Sequence, residues 1–141
     1  MKQVAVGIIT KDGRVLVCQR QSAANYPLKW EFPGGKLEPS EVPEHALSRE
    51  LHEELGVDAV IGPEFHRQEW IYGNSVSDPD NDGAFRVFYF LISSFSGMLT
   101  NKAFEQVRWV TPRELQNMDI LEGNREAVNL LARYVEQRQE A

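Results

Sequence analysis

Three glutamates, Glu50, Glu53 and Glu54, crowd the end of a segment that begins near Gly35 and closes at Gly56. On a helix, side chains three and four apart lie one above another. The three carboxylates therefore share one arc of roughly a hundred degrees at 3.6 residues per turn. Leu47, Leu51 and Leu55 recur every four residues and form the apolar stripe beside that arc. Such a helix turns one side to a core and presents concentrated negative charge on the next. Like charges at that spacing cost roughly 0.2–0.5 kcal/mol per pair on an exposed helix, and carboxylates near a helix C-terminus also oppose the macrodipole. A hard divalent cation reverses that cost. Magnesium takes oxygen ligands and keeps several waters, which suits a few carboxylates around a substrate's phosphates. By composition alone a solvated acidic face fits as well, and both readings stay open.

The elements that must hold this arc can be read from the flanking sequence. Pro43 is tolerated in a first helical turn and Gly56 suits the position after a last one, so a helix is expected over Pro43–Leu55. Before it, Trp30-Glu31-Phe32 reads as a brief strand ended by Pro33-Gly34-Gly35. Val4 to Thr10 is an apolar, β-branched run, Lys11-Asp12-Gly13 is a turn, and Val15 to Gln19 reads as the hairpin partner. Arg20 to Leu28 is irregular, with Pro27 opposing helix. Further strands are expected over Phe65 to Tyr72 and Phe85 to Ser93. Between them, Asp78, Asp80, Asp82 and Gly83 resemble the start of an EF-hand loop, but Tyr89 stands where its bidentate Glu belongs. That stretch reads as a solvated hairpin loop. Glu105 to Val110 is another strand, and Thr111 to Leu115 is a capped helical turn. A last helix is expected from about Asn124 to about Gln137 on the stripe Val128, Leu131, Val135. Strands mixed with two long helices imply an α/β protein.

A length of 141 residues with 42% hydrophobic content corresponds to one domain, expected to span 1–141. A net charge of −6 argues against broad contact with nucleic-acid polymers or membranes, which leaves a basic footprint. A local basic pocket for phosphate stays compatible with it. The single Cys18 excludes an intrachain disulfide framework and a four-cysteine zinc site, and it reads as a strand residue. No leader or membrane span is expected, and the expected compartment is the cytoplasm. His45, His52 and His66 lack metal-ligand spacing, and no Ser-His-Asp or Cys-His arrangement emerges.

The stretch Gly35 to Val57 resembles the Nudix box, G-x5-E-x7-R-E-U-x-E-E-x-G-U with U aliphatic. Gly35, Glu41, Arg49, Glu50, Leu51, Glu53, Glu54, Gly56 and Val57 fill all nine specified positions over 23 residues. That is far more specific than a lone glycine-rich loop. Similarity to the MutT-like branch extends to Val4–Ile9, Gln19-Arg20, Trp30–Lys36 and Arg108-Trp109-Val110. The resemblance implies an α/β/α sandwich with a mixed, curved sheet and a loop-helix-loop box. It also implies hydrolysis of a nucleoside diphosphate linked to another group, with Mg2+ at the box and Mn2+ able to substitute. By motif position, Glu50, Glu53 and Glu54 are the metal-binding and catalytic carboxylates. Glu53 or Glu54 also orients the nucleophilic water, and one sequence does not apportion that role. The Gly34 carbonyl completes the metal's ligands, while Arg49 pairs with Glu41 and orients the loop. The expected partner is a small nucleotide, bound by a monomer or homodimer.

A further carboxylate from a distal loop often joins this family's site. Glu105 is the candidate, with a strand-edge surface Glu as the alternative. Arg20 resembles a phosphate- or nucleotide-contacting arginine of the MutT branch, and Lys36 is a second phosphate candidate. In enzymes of that branch that remove oxidised guanine nucleotides, an Asn near the start of the last helix reads the purine edge. Asn124 stands at that position, although Asn is also a favoured helix N-cap. Phe32 would flank the base, although a strand aromatic is usually core. The leading expectation is a nucleoside triphosphate pyrophosphohydrolase that releases a monophosphate and pyrophosphate, favouring a modified purine such as 8-oxo-dGTP. The alternatives are a hydrolase of CTP or other pyrimidine nucleotides, and a nucleotide-binding module without turnover. The three retained carboxylates disfavour the second. The long Gly73–Gly83 stretch departs from the oxidised-purine branch and leaves room for another substrate.

Overall fold

Between Ile8 and Thr10 the chain leaves one β-sheet and enters another, and the site is lined from both. The computed structural model describes residues 1–73 and 83–140, so Asp78, Asp80 and Asp82 lie outside the described residues. In chain order the elements are β1 (Lys2–Ile8), β2 (Thr10–Lys11), β3 (Arg14–Gln19), β4 (Trp30–Glu31), β5 (Gly34–Lys36) and α1 (Pro43–Leu55). Then come β6 (Asp58–Tyr72), β7 (Gly83–Ser96), β8 (Gln106–Val110), α2 (Pro112–Gln116), a 3-10 turn over Glu122–Asn124, and α3 (Arg125–Glu140). The first sheet has the order β5-β1-β7-β6. It is mixed: β1 runs parallel to β7 and antiparallel to β5. The second is built on β3, which pairs with β2, β4 and β8.

Period-two alternation sorts the core into two layers. Ala5 and Ile9, together with Phe88, Phe90 and Ile92 of β7, pack against Leu47, Leu51 and Leu55 of α1. Val6 and Ile8, with Phe85, Val87 and Tyr89, pack on the other side against Ala127, Val128 and Leu131 of α3. Burial on both faces explains why β1 reads as a continuous apolar run. The result is an α/β/α sandwich, as expected. Leu47, Leu51 and Leu55 are fully buried, so truncating one to Ala costs about 2–5 kcal/mol of stability. Among the described residues, no helix is long and apolar enough to cross a membrane.

Three expectations need correction. The hairpin between Val4–Thr10 and Val15–Gln19 exists only at Thr10–Lys11, because β1 belongs to the other sheet. β6 begins at Asp58, well before Phe65, because Gly62 and Pro63 produce register shifts within a continuing strand rather than a turn. Gly34–Lys36 continues past the glycine pair as β5, a strand the sequence did not announce. The helix α1 has the expected bounds, and Gly56 follows it in the left-handed conformation at φ 70°, donating to His52 O.

Candidate active site

Local packing brings the box loop onto the last turn of α1. The Gly34 N–H donates to Glu54 Oε1 at 3.1 Å. Gly34 has φ 150°, and a side chain there would strike the Ala5 carbonyl of β1. A Cβ on Gly35 would fall on the carboxylate of Glu50. Glycines at these two positions therefore let strand, loop and carboxylates close together. Arg49 then clamps the loop. Its guanidinium grips Glu41 with two bonds, Nε to Oε2 at 3.0 Å and Nη2 to Oε1 at 2.8 Å. It also reaches Glu50 Oε1 at 3.0 Å and the Lys36 carbonyl at 3.2 Å, and its Nη1 lies 3.5 Å from Glu53 Oε2.

These contacts set the charge states. Arg49 foremost, then the Glu38 N–H, holds Glu41 down to about 2. Burial raises Glu50, with Arg49 opposing and Glu53 and Glu41 adding to the rise. Glu54 is pushed up to about 9, first by burial and then by the charges of Glu50 and Glu31, against the Gly34 hydrogen bond. Carboxylates packed this closely lack sufficient positive charge among themselves. Among the described residues, no three His, Cys, Asp or Glu side chains are placed to hold a metal ion by themselves. The donors fit a hard cation that keeps most of its water and takes further oxygens from phosphate. Glu50, Glu53, Glu54 and the Gly34 carbonyl are the groups available to hold it.

From Glu54 and Gly35 a cavity runs past Arg20 and Glu31 to Phe32, Tyr72, Phe85 and Asn124. Backbone bonds fix its far end. Trp30 of β4 donates to Asp119 O and accepts from the Leu121 N–H, both at 2.9 Å. Gly123 is held by the Tyr72 hydroxyl on its N–H at 3.0 Å, and its carbonyl accepts from Tyr89 and Gln68. Asn124 follows, 6% exposed, and its Oδ1 accepts from the Phe32 N–H at 3.1 Å. Asn124 is therefore a tie between the turn before α3 and the strand-loop segment after Glu31. Its side-chain oxygen bonds across the cavity rather than along its own helix.

The structure thus gathers Gly34, Lys36, Glu54, Arg20, Phe32 and Asn124 around one cavity, with Glu50 against Gly35 and Arg49–Glu41 behind. Phe32 serves both expectations: it lines the cavity and stacks edge-on to Tyr89 in the core. Glu53 is the outlier of the three box carboxylates, with a side chain 57% exposed. Glu105 is not brought in. It is exposed, anchored by its N–H to Gln19 O ahead of β8, and does not line the cavity. Glu31 occupies the cavity instead. Its carboxylate meets Arg20 Nη1 at 3.2 Å, while Arg20 Nε donates to Asn25 O at 2.7 Å. Burial raises the Glu31 carboxyl, and Arg20 opposes the rise. Trp30 and Phe32 point to the core, so strand alternation was the signal that could have placed Glu31 on the other face. Tyr26 and Tyr72 were also missed; their rings lie 5.1 Å apart at the cavity. The three histidines stay apart, on Glu41, Asp58 and Gln68 respectively. Cys18 is a buried β3 residue beside Glu31, as its strand context implied, and burial raises its thiol.

Comparison with known proteins matches this geometry to a family. The family model described as NUDIX domain matches residues 1–132. The chain is 30% identical to the 8-oxo-dGTP diphosphatase of Escherichia coli (strain K12) over 132 residues, 93% of this chain and 96% of that one. It is 47% identical to the CTP pyrophosphohydrolase of the same organism over 62 residues, 44% of this chain and about half, 46%, of that protein's length. Among solved structures, the MutT NUDIX hydrolase from Burkholderia pseudomallei superposes with a TM-score of 0.76 at 25% identity, covering 92% of this chain and 96% of that one. With a complete box held by Arg49 beside the cavity that Glu54 shares with Phe32 and Asn124, the chain belongs to the Nudix family, in its MutT-like branch of nucleotide pyrophosphohydrolases.

Proposed function

We propose that this chain is a single-domain, Mg2+-dependent nucleoside triphosphate pyrophosphohydrolase, cleaving nucleotides to a monophosphate and pyrophosphate and favouring oxidised purines such as 8-oxo-dGTP. One observation carries the reading: a continuous cavity joins the box carboxylate Glu54 to Phe32 and Asn124. Bound Mg2+ would neutralise phosphate oxygens and lower the pKa of a ligated water. Glu50, Glu54, Glu53 and the Gly34 carbonyl would hold it, and Arg49 with Glu41 keeps the loop in register. Glu53, the outlier of the three box carboxylates with a side chain 57% exposed, orients the attacking water. Arg20 and Lys36 face the phosphates with positive charge. At the far end Phe32 flanks the base. Asn124 has its Oδ1 engaged by Phe32, which leaves its NH2 to donate to the base.

A donating amide suits the C8 carbonyl that 8-oxoguanine has and guanine lacks, and also the carbonyl of a pyrimidine. Together with the similarity to a CTP pyrophosphohydrolase, this makes CTP the second reading. In both, small nucleotides are the partners and the cytoplasm the compartment. The test is a panel of 8-oxo-dGTP, dGTP, CTP and dCTP assayed with and without Mg2+, with products identified. Monophosphate and pyrophosphate in the presence of Mg2+ alone, fastest from 8-oxo-dGTP, is the expected result. CTP as the best substrate selects the second reading. No pyrophosphate from any nucleotide overturns both.

A further inference from the structure

The two edges of the first sheet are unequal. β5 closes one edge with three residues, whereas β6 ends the sheet on the other side with fifteen. None of those fifteen is buried, and among the described residues no strand pairs with the outer side of β6. Backbone N–H and C=O groups along such an edge form a template for another strand. The first half is blunted, because Gly62 and Pro63 shift the register and a proline has no N–H to donate. From Glu64 to Tyr72 there is neither proline nor lysine, and Trp70 and Ile71 are 37% and 74% exposed. The charged side chains of this stretch lie on the α1 side of the sheet. Arg67 binds Glu64 and sits over the Phe88 ring at 4.6 Å, while Glu69 binds Arg86 of β7. His66 and Trp70 lie against Tyr89 and Tyr72 on the α3 side.

This edge is complementary to itself in one register. In a symmetric antiparallel pair, directly opposite residues share a face, so the two-fold axis passes at a residue rather than between two. An axis at Arg67 sets Arg67 against its own copy, and an axis at Glu69 does the same to Glu69; like charges directly opposite are destabilising. Axes at His66 or Trp70 give neither charge an opposite one. An axis at Gln68 sets Arg67 opposite Glu69 twice. With the observed pairing of β6 and β7, the row across the joined sheet then reads Arg86, Glu69, the partner's Arg67, the partner's Phe88. Each cation in it meets a carboxylate or an aromatic face. On the α3 side the next row reads Tyr89, His66, the partner's Trp70, the partner's Phe85, and aromatic pairs across strands also stabilise a sheet. The exposed Ile71 is carried to the partner's bulge, beside the groove floored there by Phe88 and Phe90.

We propose that the protein forms a symmetric dimer in which residues 66–70 of β6 pair antiparallel with the same residues of a second copy about Gln68, joining the two sheets into one. The pairing is independent of which nucleotide the cavity takes. It also braces the end of β6 that carries Tyr72 into the cavity wall.

Sedimentation equilibrium over the micromolar range reads the association directly, with circular dichroism checking that each variant is folded. The native protein sediments as a dimer. Arg67→Glu puts like charges opposite each other on both sides of the axis and raises the dimer dissociation constant by about a hundredfold. Glu69→Arg does the same. Combining Arg67→Glu with Glu69→Arg in one chain restores both opposite-charge pairs and the dimer. An equimolar mixture of the two single variants restores them as a heterodimer, and serves if the double variant does not fold. A monomeric native protein overturns the assignment and leaves the edge to a strand of a different protein. An Arg67→Glu variant that stays fully dimeric overturns it too. So does a folded double variant that stays monomeric or, failing that variant, a mixture that stays monomeric.

Discussion

The two ends of the cavity are built on different principles. At the proposed phosphate end nearly every group comes from residues 34–57, and the groups are charged: Glu41, Arg49, Glu50, Glu53 and Glu54 on or beside one helix. Helical periodicity sets the spacing of Glu50, Glu53 and Glu54; the Arg49 guanidinium holds Glu41, Glu50 and Glu53, and the Gly34 N–H holds Glu54. At the proposed base end the groups are aromatic or neutral and come from four places, Phe32 after β4, Tyr72 on β6, Phe85 on β7, and Asn124 in the turn before α3. Here the tertiary fold sets the spacing, through backbone bonds between Trp30 and residues 119–121 and through Gly123. A reaction centre made by one segment can be kept while the specificity end is rebuilt by substitutions in several others. The chain is similar to proteins named for 8-oxo-dGTP and for CTP.

The comparison is broken most severely at the phosphate end. Glu53→Gln should lower turnover of every nucleotide by roughly 10²–10⁴-fold, the usual contribution of a positioned acid–base group, with base preference unchanged in steady-state kinetics. Arg49→Lys comes next. Lysine lacks the planar fork that grips Glu41 while reaching Glu50. A loss of about 10–100-fold in Mg2+ affinity is expected from removing such an orienting partner, read by metal titration. The same titration carries a pH signature. The folded, metal-free protein holds a proton on Glu54 up to about 9, above its ordinary value of 4.5. It thus binds more protons than the unfolded chain across that window, and metal-free stability should fall as pH rises from 4.5 towards 9. Mg2+ displaces the proton, so its affinity should strengthen with pH by up to about tenfold per unit until Glu54 ionises. Calorimetry in two buffers of different ionisation enthalpy checks the proton release. Glu41, held down to about 2, keeps its charge through the same range, and its stabilising pairing with Arg49 is lost only below it.

The same contrast explains what the sequence disclosed. The helix Pro43–Leu55, its apolar stripe and its acidic arc follow from spacing within one segment and could be placed to the residue. The sandwich could be anticipated from the order of strands and helices, but the path of β1 could not. Whether Val4–Thr10 pairs with its neighbour or with a distant β7 is decided by which faces need covering, not by the turn at Asp12-Gly13. Gly62-Pro63 read as punctuation because both residues weaken strands, yet a long partner in β7 carries β6 across them. Glu105 is the candidate because the family often adds a carboxylate from a distal loop, and a place in the chain order says nothing of which cavity a residue faces. Glu31 was passed over because it sat between two aromatics inside a familiar motif. Its environment depends on Arg20, eleven residues away, and on the carboxylates of α1.

The smallest expected effect is also the most diagnostic. Asn124→Ala should leave the rate on the better-tolerated nucleotides within a few-fold while cutting discrimination between 8-oxo-dGTP and dGTP by about tenfold, the worth of one buried hydrogen bond. Measured side by side, kcat/KM for 8-oxo-dGTP, dGTP and CTP in the native protein, Glu53→Gln and Asn124→Ala tests the division of labour directly. That division predicts a uniform loss across the three nucleotides in Glu53→Gln and a changed order of preference in Asn124→Ala. A changed order in Glu53→Gln, or a uniform loss in Asn124→Ala, would contradict it.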